Sequence, residues 1–92
     1  MMVSAQVSVY PLGQADLAPA IAAVWRAFEA HGLSYRCGAM STVVEGDSAV
    51  VFAALGDAFN AAAQYGGTVM VVTVSNACPS IAAAEAGASH AP

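Results

Sequence analysis

The hydrophobic period of this chain switches between two and about 3.6 along its length, and the order of those switches restricts the fold more than any single motif. Val3, Ala5, Val7 and Val9 alternate with Ser4, Gln6, Ser8 and Tyr10, the pattern of a half-buried strand. Pro11-Leu12-Gly13 ends it. Leu17, Ile21, Val24 and Phe28 then recur at helical spacing, which predicts an amphipathic helix reaching about Ala30. Asp16 suits its N-cap and Pro19 its first turn. Trp25 lies beside the stripe, and its indole N–H needs a partner, so it is expected at a helix margin or an interface. His31-Gly32 is a helix-end signal.

Leu33 to Cys37 reads as a short strand carrying Arg36, which suits a sheet edge. Gly38-Ala39 supplies a turn, and Met40 to Glu45 is a third strand. Gly46-Asp47 stops it, with Asp47 or Ser48 capping the next helix. Val51, Leu55, Phe59 and Ala62 are expected to form that helix's inward stripe, flanked by Phe52. Tyr65-Gly66-Gly67 ends it. Thr68 to Val74 is a last strand, apolar on both faces. The order β-α-β-β-α-β is the split βαβ pattern of an α+β, ferredoxin-like sandwich. Right-handed crossovers then require an antiparallel four-stranded sheet, order 4-1-3-2, with two helices on one face. Residues 1–79 are expected to form this domain. Residues 80–92, rich in Ala, are expected to be a flexible tail.

Ninety-two residues that are 59% hydrophobic and only 9% charged exceed what so small a core can hide. A homo-oligomer, dimer or tetramer, burying one face of the sheet is therefore expected. Surface alanines in the helices are the plainer explanation of the same excess. With a net charge of −4 and only Arg26 and Arg36 as basic residues, the chain does not suit nucleic acid or an anionic membrane surface. No apolar run approaches the ~18 residues of a membrane span, and the first residues do not read as a signal peptide. A cytoplasmic location is expected, with free thiols.

The topology makes the first and third strands antiparallel neighbours. If Ser8 lies opposite Thr42, then Tyr10 faces Met40 and Gln6 faces Val44. A slip of one residue puts Ser41 in place of Thr42. Either way a hydroxyl joins a polar stripe on the first strand, or else the stripe is simply a solvated face. Cys37 and Cys78 fall at opposite sheet edges, roughly 14 Å apart by strand spacing, too far for a disulfide. His31, Cys37, Cys78 and His90 lack paired metal-ligand spacing, so no metal is expected. Cys78 has no evident base to activate it. Asp47 reads as a helix cap, whereas Glu45 at a strand end could meet a cationic ligand. No catalytic set or phosphate loop is present, and an enzyme is not expected.

Three blocks then carry a resemblance. Ser8-Val9-Tyr10-Pro11-Leu12-Gly13, Met40-Ser41-Thr42-Val43-Val44-Glu45-Gly46-Asp47 and Ser75-Asn76-Ala77-Cys78-Pro79 resemble a YkoF-like thiamine/hydroxymethylpyrimidine-binding domain of the thiamine-binding protein superfamily. The resemblance spans Val3 to about Pro79. It implies a ferredoxin-like domain that assembles by sheet-to-sheet packing. It also implies non-catalytic binding of thiamine or its hydroxymethylpyrimidine moiety, in vitamin salvage or transport, with no cofactor and with a transporter as a further partner. YkoF itself looks like a tandem of two such domains, where this sequence has one.

The positions matching those blocks are Ser8, Tyr10, Met40, Ser41, Thr42, Glu45, Asn76 and Cys78, and they are the candidate ligand-binding residues. Their hydroxyls and amide can exchange hydrogen bonds with an aminopyrimidine. Met40, Tyr10, Tyr35 or Trp25 could wall it, and Glu45 or an aromatic face suits a thiazolium cation. Two other readings stand beside this one. The first is a structural or regulatory homo-oligomer without a small ligand. The second is a small ferredoxin-like enzyme, either a monooxygenase-type dimer using Trp25 and Asn76 or an acylphosphatase-like hydrolase. For the hydrolase, Pro11-Leu12-Gly13-Gln14 lacks the needed Arg.

Overall fold

The computed structural model describes residues 1–77. Its elements are β1 (Met2–Pro11), α1 (Ala18–Ala30), β2 (Ser34–Cys37), β3 (Thr42–Asp47), α2 (Ser48–Ala63) and β4 (Thr68–Ser75). The sheet is antiparallel throughout, in the order β2-β3-β1-β4, so the expected ferredoxin-like arrangement is the one observed. Val3, Ala5 and Val7 of β1 and Val44 of β3 are buried beneath Val24 and Phe28 of α1 and Val51 and Leu55 of α2. The other sheet face carries Ser4, Gln6, Ser8 and Tyr10, as the alternation predicts.

Register is where the structure departs from the Ser8–Thr42 alignment. Val7 pairs with Thr42, Gln6 with Val43 and Ala5 with Val44. Opposed residues share a face, so this one-residue slip turns Thr42 toward the helices and leaves Ser41 with the polar stripe. Gln6 Nε2 donates to Ser41 Oγ at 3.3 Å, consistent with that. Met40 and Ser41 lie in the β2–β3 turn rather than in a strand. The turn is closed by Gly38 N–H donating to the Ser41 carbonyl at 2.7 Å.

Gly46 does not stop β3. The strand runs through it to Asp47, because a Cβ there would stand 2.4 Å from Leu33 Cδ2 and only glycine leaves Leu33 its place. Asp47 then ends the strand and caps α2, accepting from Ala49 N–H at 3.2 Å. In α1 the N-cap position is Leu17, with no side-chain cap. Asp16, one residue earlier, still satisfies the Ala18 amide at 3.0 Å.

Phe59 was expected inside and is exposed. The buried face of α2 is Val51, Ala54, Leu55, Ala58 and Ala62. Ala20 and Ala23 of α1 are buried too. These small side chains let the two helix backbones approach closely, and that approach rotates Phe59 outward. Five of the helical alanines are therefore interior, while Ala18, Ala30, Ala49, Ala53 and Ala63 are exposed on the surface. His31 Nε2, 2.6 Å from Asp57 Oδ2, ties the end of α1 to α2.

The N-terminal amino group donates to Asp47 Oδ1 at 2.9 Å. That hydrogen bond, and after it the one from the Ala49 amide, holds the Asp47 carboxyl below its ordinary pKa. A group whose pKa is lower folded than unfolded contributes stability that is complete above the unfolded value, about 3.9. The contribution is lost as pH falls through the folded value. Thermal stability is therefore expected to decline as pH drops below about 4, and Asp47→Asn should flatten that decline. Identical acid profiles for both proteins would contradict this account.

Candidate functional site

A cavity of about 340 Å³ opens between α1 and the sheet, at the end of β1 nearest the β2–β3 turn. Its volume is at the lower end of the range for small-molecule sites. Val7 and Val9 reach it from β1, and Ile21, Val24 and Trp25 from α1. Gly38, Ala39, Met40 and Ser41 form its rim, and Thr42 lies at its base. Each element is placed by the sequence pattern. Alternation points Val7 and Val9 toward the helices, and the helical repeat sets Ile21 and Trp25 one turn apart on one face.

The polar centre of the cavity is a pair of side chains. Trp25 Nε1–H donates to Thr42 Oγ1 at 3.1 Å. Thr42 is the single buried polar residue among the described residues, and burying a hydroxyl is tolerable because the indole meets it. The half-buried Trp25 thus finds the partner its N–H required. The hydroxyl accepts from the indole and keeps its own proton to donate. Among the described residues, no Lys, Arg, Asp or Glu lines the cavity. It can therefore hold a flat, neutral, hydrogen-bonding ring against an apolar wall, and it offers nothing specific to a phosphate.

Of the candidate residues, the fold brings Met40, Ser41 and Thr42 to this cavity. Met40 is 83% exposed, a rim residue free to cover an occupant. Ser8 and Tyr10 lie on the open face of the sheet, opposite Val71 and Val69. Glu45 is on that open face too, opposite Ser4 and Ser34, about 10 Å along the strand from Thr42. Asn76 lies at the far end of the sheet, where its Nδ2 meets Met1 Sδ at 3.5 Å. Cys78 is outside the described residues, and Cys37 is exposed. Tyr35 is on the helix side, where its hydroxyl donates to Glu29. That hydrogen bond, foremost, raises the phenol's pKa.

Val7, Val9, Ile21 and Val24 were not among the residues picked out for binding. Their signal was present, since each belongs to a face already read as apolar. What was missing was the knowledge that these faces leave a gap above Thr42.

Comparisons with known proteins bear on the family and the fold. A family model described as thiamine-binding protein matches residues 5–76. Comparison with curated protein sequences found no match. Among solved structures, a hypothetical protein of Methanocaldococcus jannascii is similar at a TM-score of 0.82, with 22% identity over 98% of each chain. A candidate thiamine biosynthesis/salvage protein of Thermotoga maritima is similar at 0.80, with 16% identity over 96% of this chain and 99% of that one. A domain of unknown function from Bacillus cereus gives 0.76, with 20% identity over 88% of this chain and 84% of that one. At these identities the structural likeness is one of fold.

Proposed function

Because the chain belongs to the thiamine-binding protein family, we propose that it binds thiamine or its hydroxymethylpyrimidine moiety without catalysis, in the cytoplasm, in support of vitamin salvage or transport. The observation that carries this reading is the Trp25–Thr42 pair at the base of an uncharged cavity. An aminopyrimidine is flat, with ring nitrogens that accept and an exocyclic amine that donates. Its ring fits against Val7, Val24 and Trp25, while the Thr42 hydroxyl donates to a ring nitrogen. Ser41 lies at the rim, with its hydroxyl accepting from Gln6 on the other face of the sheet. Met40 closes over the ring, and its thioether suits aromatic contact.

Thiamine's cationic ring would extend toward the open rim. An acidic chain of net charge −4 attracts that cation over a long range. The reading assigns Met40 and Thr42 to the pyrimidine and gives Trp25 a direct role. Assembly as a homo-oligomer and delivery to a transporter belong to the same proposal.

Isothermal titration of the purified protein with thiamine, hydroxymethylpyrimidine and thiamine phosphate tests it. Micromolar binding of thiamine or the pyrimidine is expected, with the phosphate weaker because no basic side chain lines the cavity. Absence of heat with all three, from a folded protein, would reject ligand binding in favour of a structural role.

A further inference from the structure

We propose that the groove between α1 and α2 is a second binding site, and that it takes a free α-amino acid with an apolar side chain. The ligand's carboxylate meets Arg26 and its ammonium meets Asp57. The site is separate from the cavity above Thr42 and does not depend on what that cavity holds.

The groove has a volume of about 390 Å³, within the range of small-molecule sites. No strand contributes to it, so it opens on the side of the helices away from the sheet. Ala23, Ala27 and Ala30 recur along α1 at helical spacing, and Ala61 of α2 faces them. The floor is apolar and open because each of these side chains ends at Cβ. The cavity above Thr42 takes Ile21, Val24 and Trp25 from α1. The two sites therefore use different flanks of that helix and share no residue.

Arg26 and Asp57 line this one groove with opposite charges, yet they form no ion pair with each other. Among the described residues the Arg26 guanidinium has no ion-pair partner at all. Two natural partners are close by, and both are engaged. Glu29 is three residues further along α1, the usual spacing of a helical ion pair, but it accepts from the Tyr35 hydroxyl. The last carbonyls of α2 also suit a cation. Those of Ala61, Ala62 and Ala63 accept instead from the amides of Gln64, Tyr65 and Gly66, and that of Asn60 accepts from Gln64 Nε2. Asp57 is committed at one oxygen only, with Oδ2 2.6 Å from His31 Nε2. Its side chain is 65% exposed, so Oδ1 is open to a second donor.

The spacing of the two charges selects the ligand. His31 marks the level of Asp57, and it lies five residues beyond Arg26, about 7.5 Å along α1. In an α-amino acid the nitrogen and the carboxyl carbon are two bonds apart. A hydrogen bond of about 3 Å at each end brings the span to about that distance. The guanidinium can hold the carboxylate through two parallel N–H···O bonds. An uncharged side chain then lies on the alanine floor, beside Tyr65. A phosphate or dicarboxylate fits less well, because Asp57 repels the added charge inside the groove and the chain carries −4 overall. Arg26 repels a simple cation in the same way.

The experiment is a nitrogen-15 correlation NMR titration of the full chain with leucine and with two analogues that each lack one charge. They are 4-methylpentanoate, without the ammonium, and leucinamide, without the carboxylate. Leucine is expected to shift the amides of residues 23–31 and 57–65 and to leave those of 38–42 in place. Each analogue is expected to bind at least about tenfold more weakly, the loss of a charge-assisted hydrogen bond. Arg26→Gln changes an exposed side chain with no ion pair to lose, so circular dichroism should be unchanged. It should raise the leucine dissociation constant by the same factor. Asp57→Asn, which keeps an oxygen for His31, should do likewise. Leucine binding should be the same with and without saturating hydroxymethylpyrimidine. No shift with leucine overturns the proposal. So does equal affinity for 4-methylpentanoate, which would make the groove a simple anion site. Undiminished leucine binding in Arg26→Gln also overturns it, by placing the amino acid elsewhere.

Discussion

Thr42→Val is expected to lose about 1–3 kcal/mol of stability, although the side chain keeps its shape. The cost arises in Trp25 rather than at position 42. The indole N–H donates to Thr42 Oγ1 at 3.1 Å, and valine leaves that donor half-buried with nothing to meet it. The asymmetry of hydrogen bonding supplies the control. Removing one partner strands the other, whereas removing both costs far less. Adding Trp25→Phe to Thr42→Val should therefore recover part of the lost stability, a coupling visible in a double-mutant cycle. Pyrimidine binding should behave differently. It should be weakened in Thr42→Val and should stay weak in the double variant, because the hydroxyl proposed to read the ring is absent from both. Urea unfolding and titration on the four proteins decide the matter. If the two effects are simply additive in stability, the Trp25–Thr42 bond is not a structural unit. If binding recovers along with stability, Thr42 serves only the fold.

Phe28→Ala should be more severe, at about 3–5 kcal/mol. Phe28 is fully buried at the centre of the core, with its ring 6.1 Å from that of Tyr35 at an interplanar angle of 53°. Around it the core consists mainly of valines and alanines, which cannot expand to fill a missing ring, so most of the cavity should persist. Domains are stable by about 5–15 kcal/mol in total, and each kilocalorie shifts the melting temperature of a chain this size by roughly 4–8 °C. A drop of at least about 12 °C follows. Phe28→Leu should recover over half of it. A loss under about 1 kcal/mol in the alanine variant would mean that α1 does not seat on the sheet as described.

The fold was legible because its signals are local. Alternation in Val3–Tyr10, the helical stripe through Val24 and Phe28, and the Asp47 cap each follow from residues a few positions apart. Chirality then leaves one strand order. The site was only half legible. Met40, Ser41 and Thr42 were found as a block, and Trp25 was identified by its need for a hydrogen-bond partner. Ser8, Tyr10 and Glu45 were grouped with them on a shared polar face, and the structure separates them from the cavity by the thickness of the sheet. Phe59 went astray for a related reason. Period alone allows either of two neighbouring stripes on α2, and only the close approach of the alanines of α1 selects the one that excludes it.

What the sequence by itself determined is therefore the order of elements, their topology and the apolar face of each, since periodicity, caps and turn residues act over short range. What only the tertiary structure decided is the register of β1 against β3. A one-residue choice, it exchanges the two faces of β3, and alternation does not fix it because Val43 and Val44 offer an apolar side chain to either face. The packing that settles it includes Leu33 over the bare Cα of Gly46 and Trp25 over Thr42. Those contacts join residues 13 and 17 positions apart, and through them Thr42 becomes the base of a cavity instead of part of an open surface.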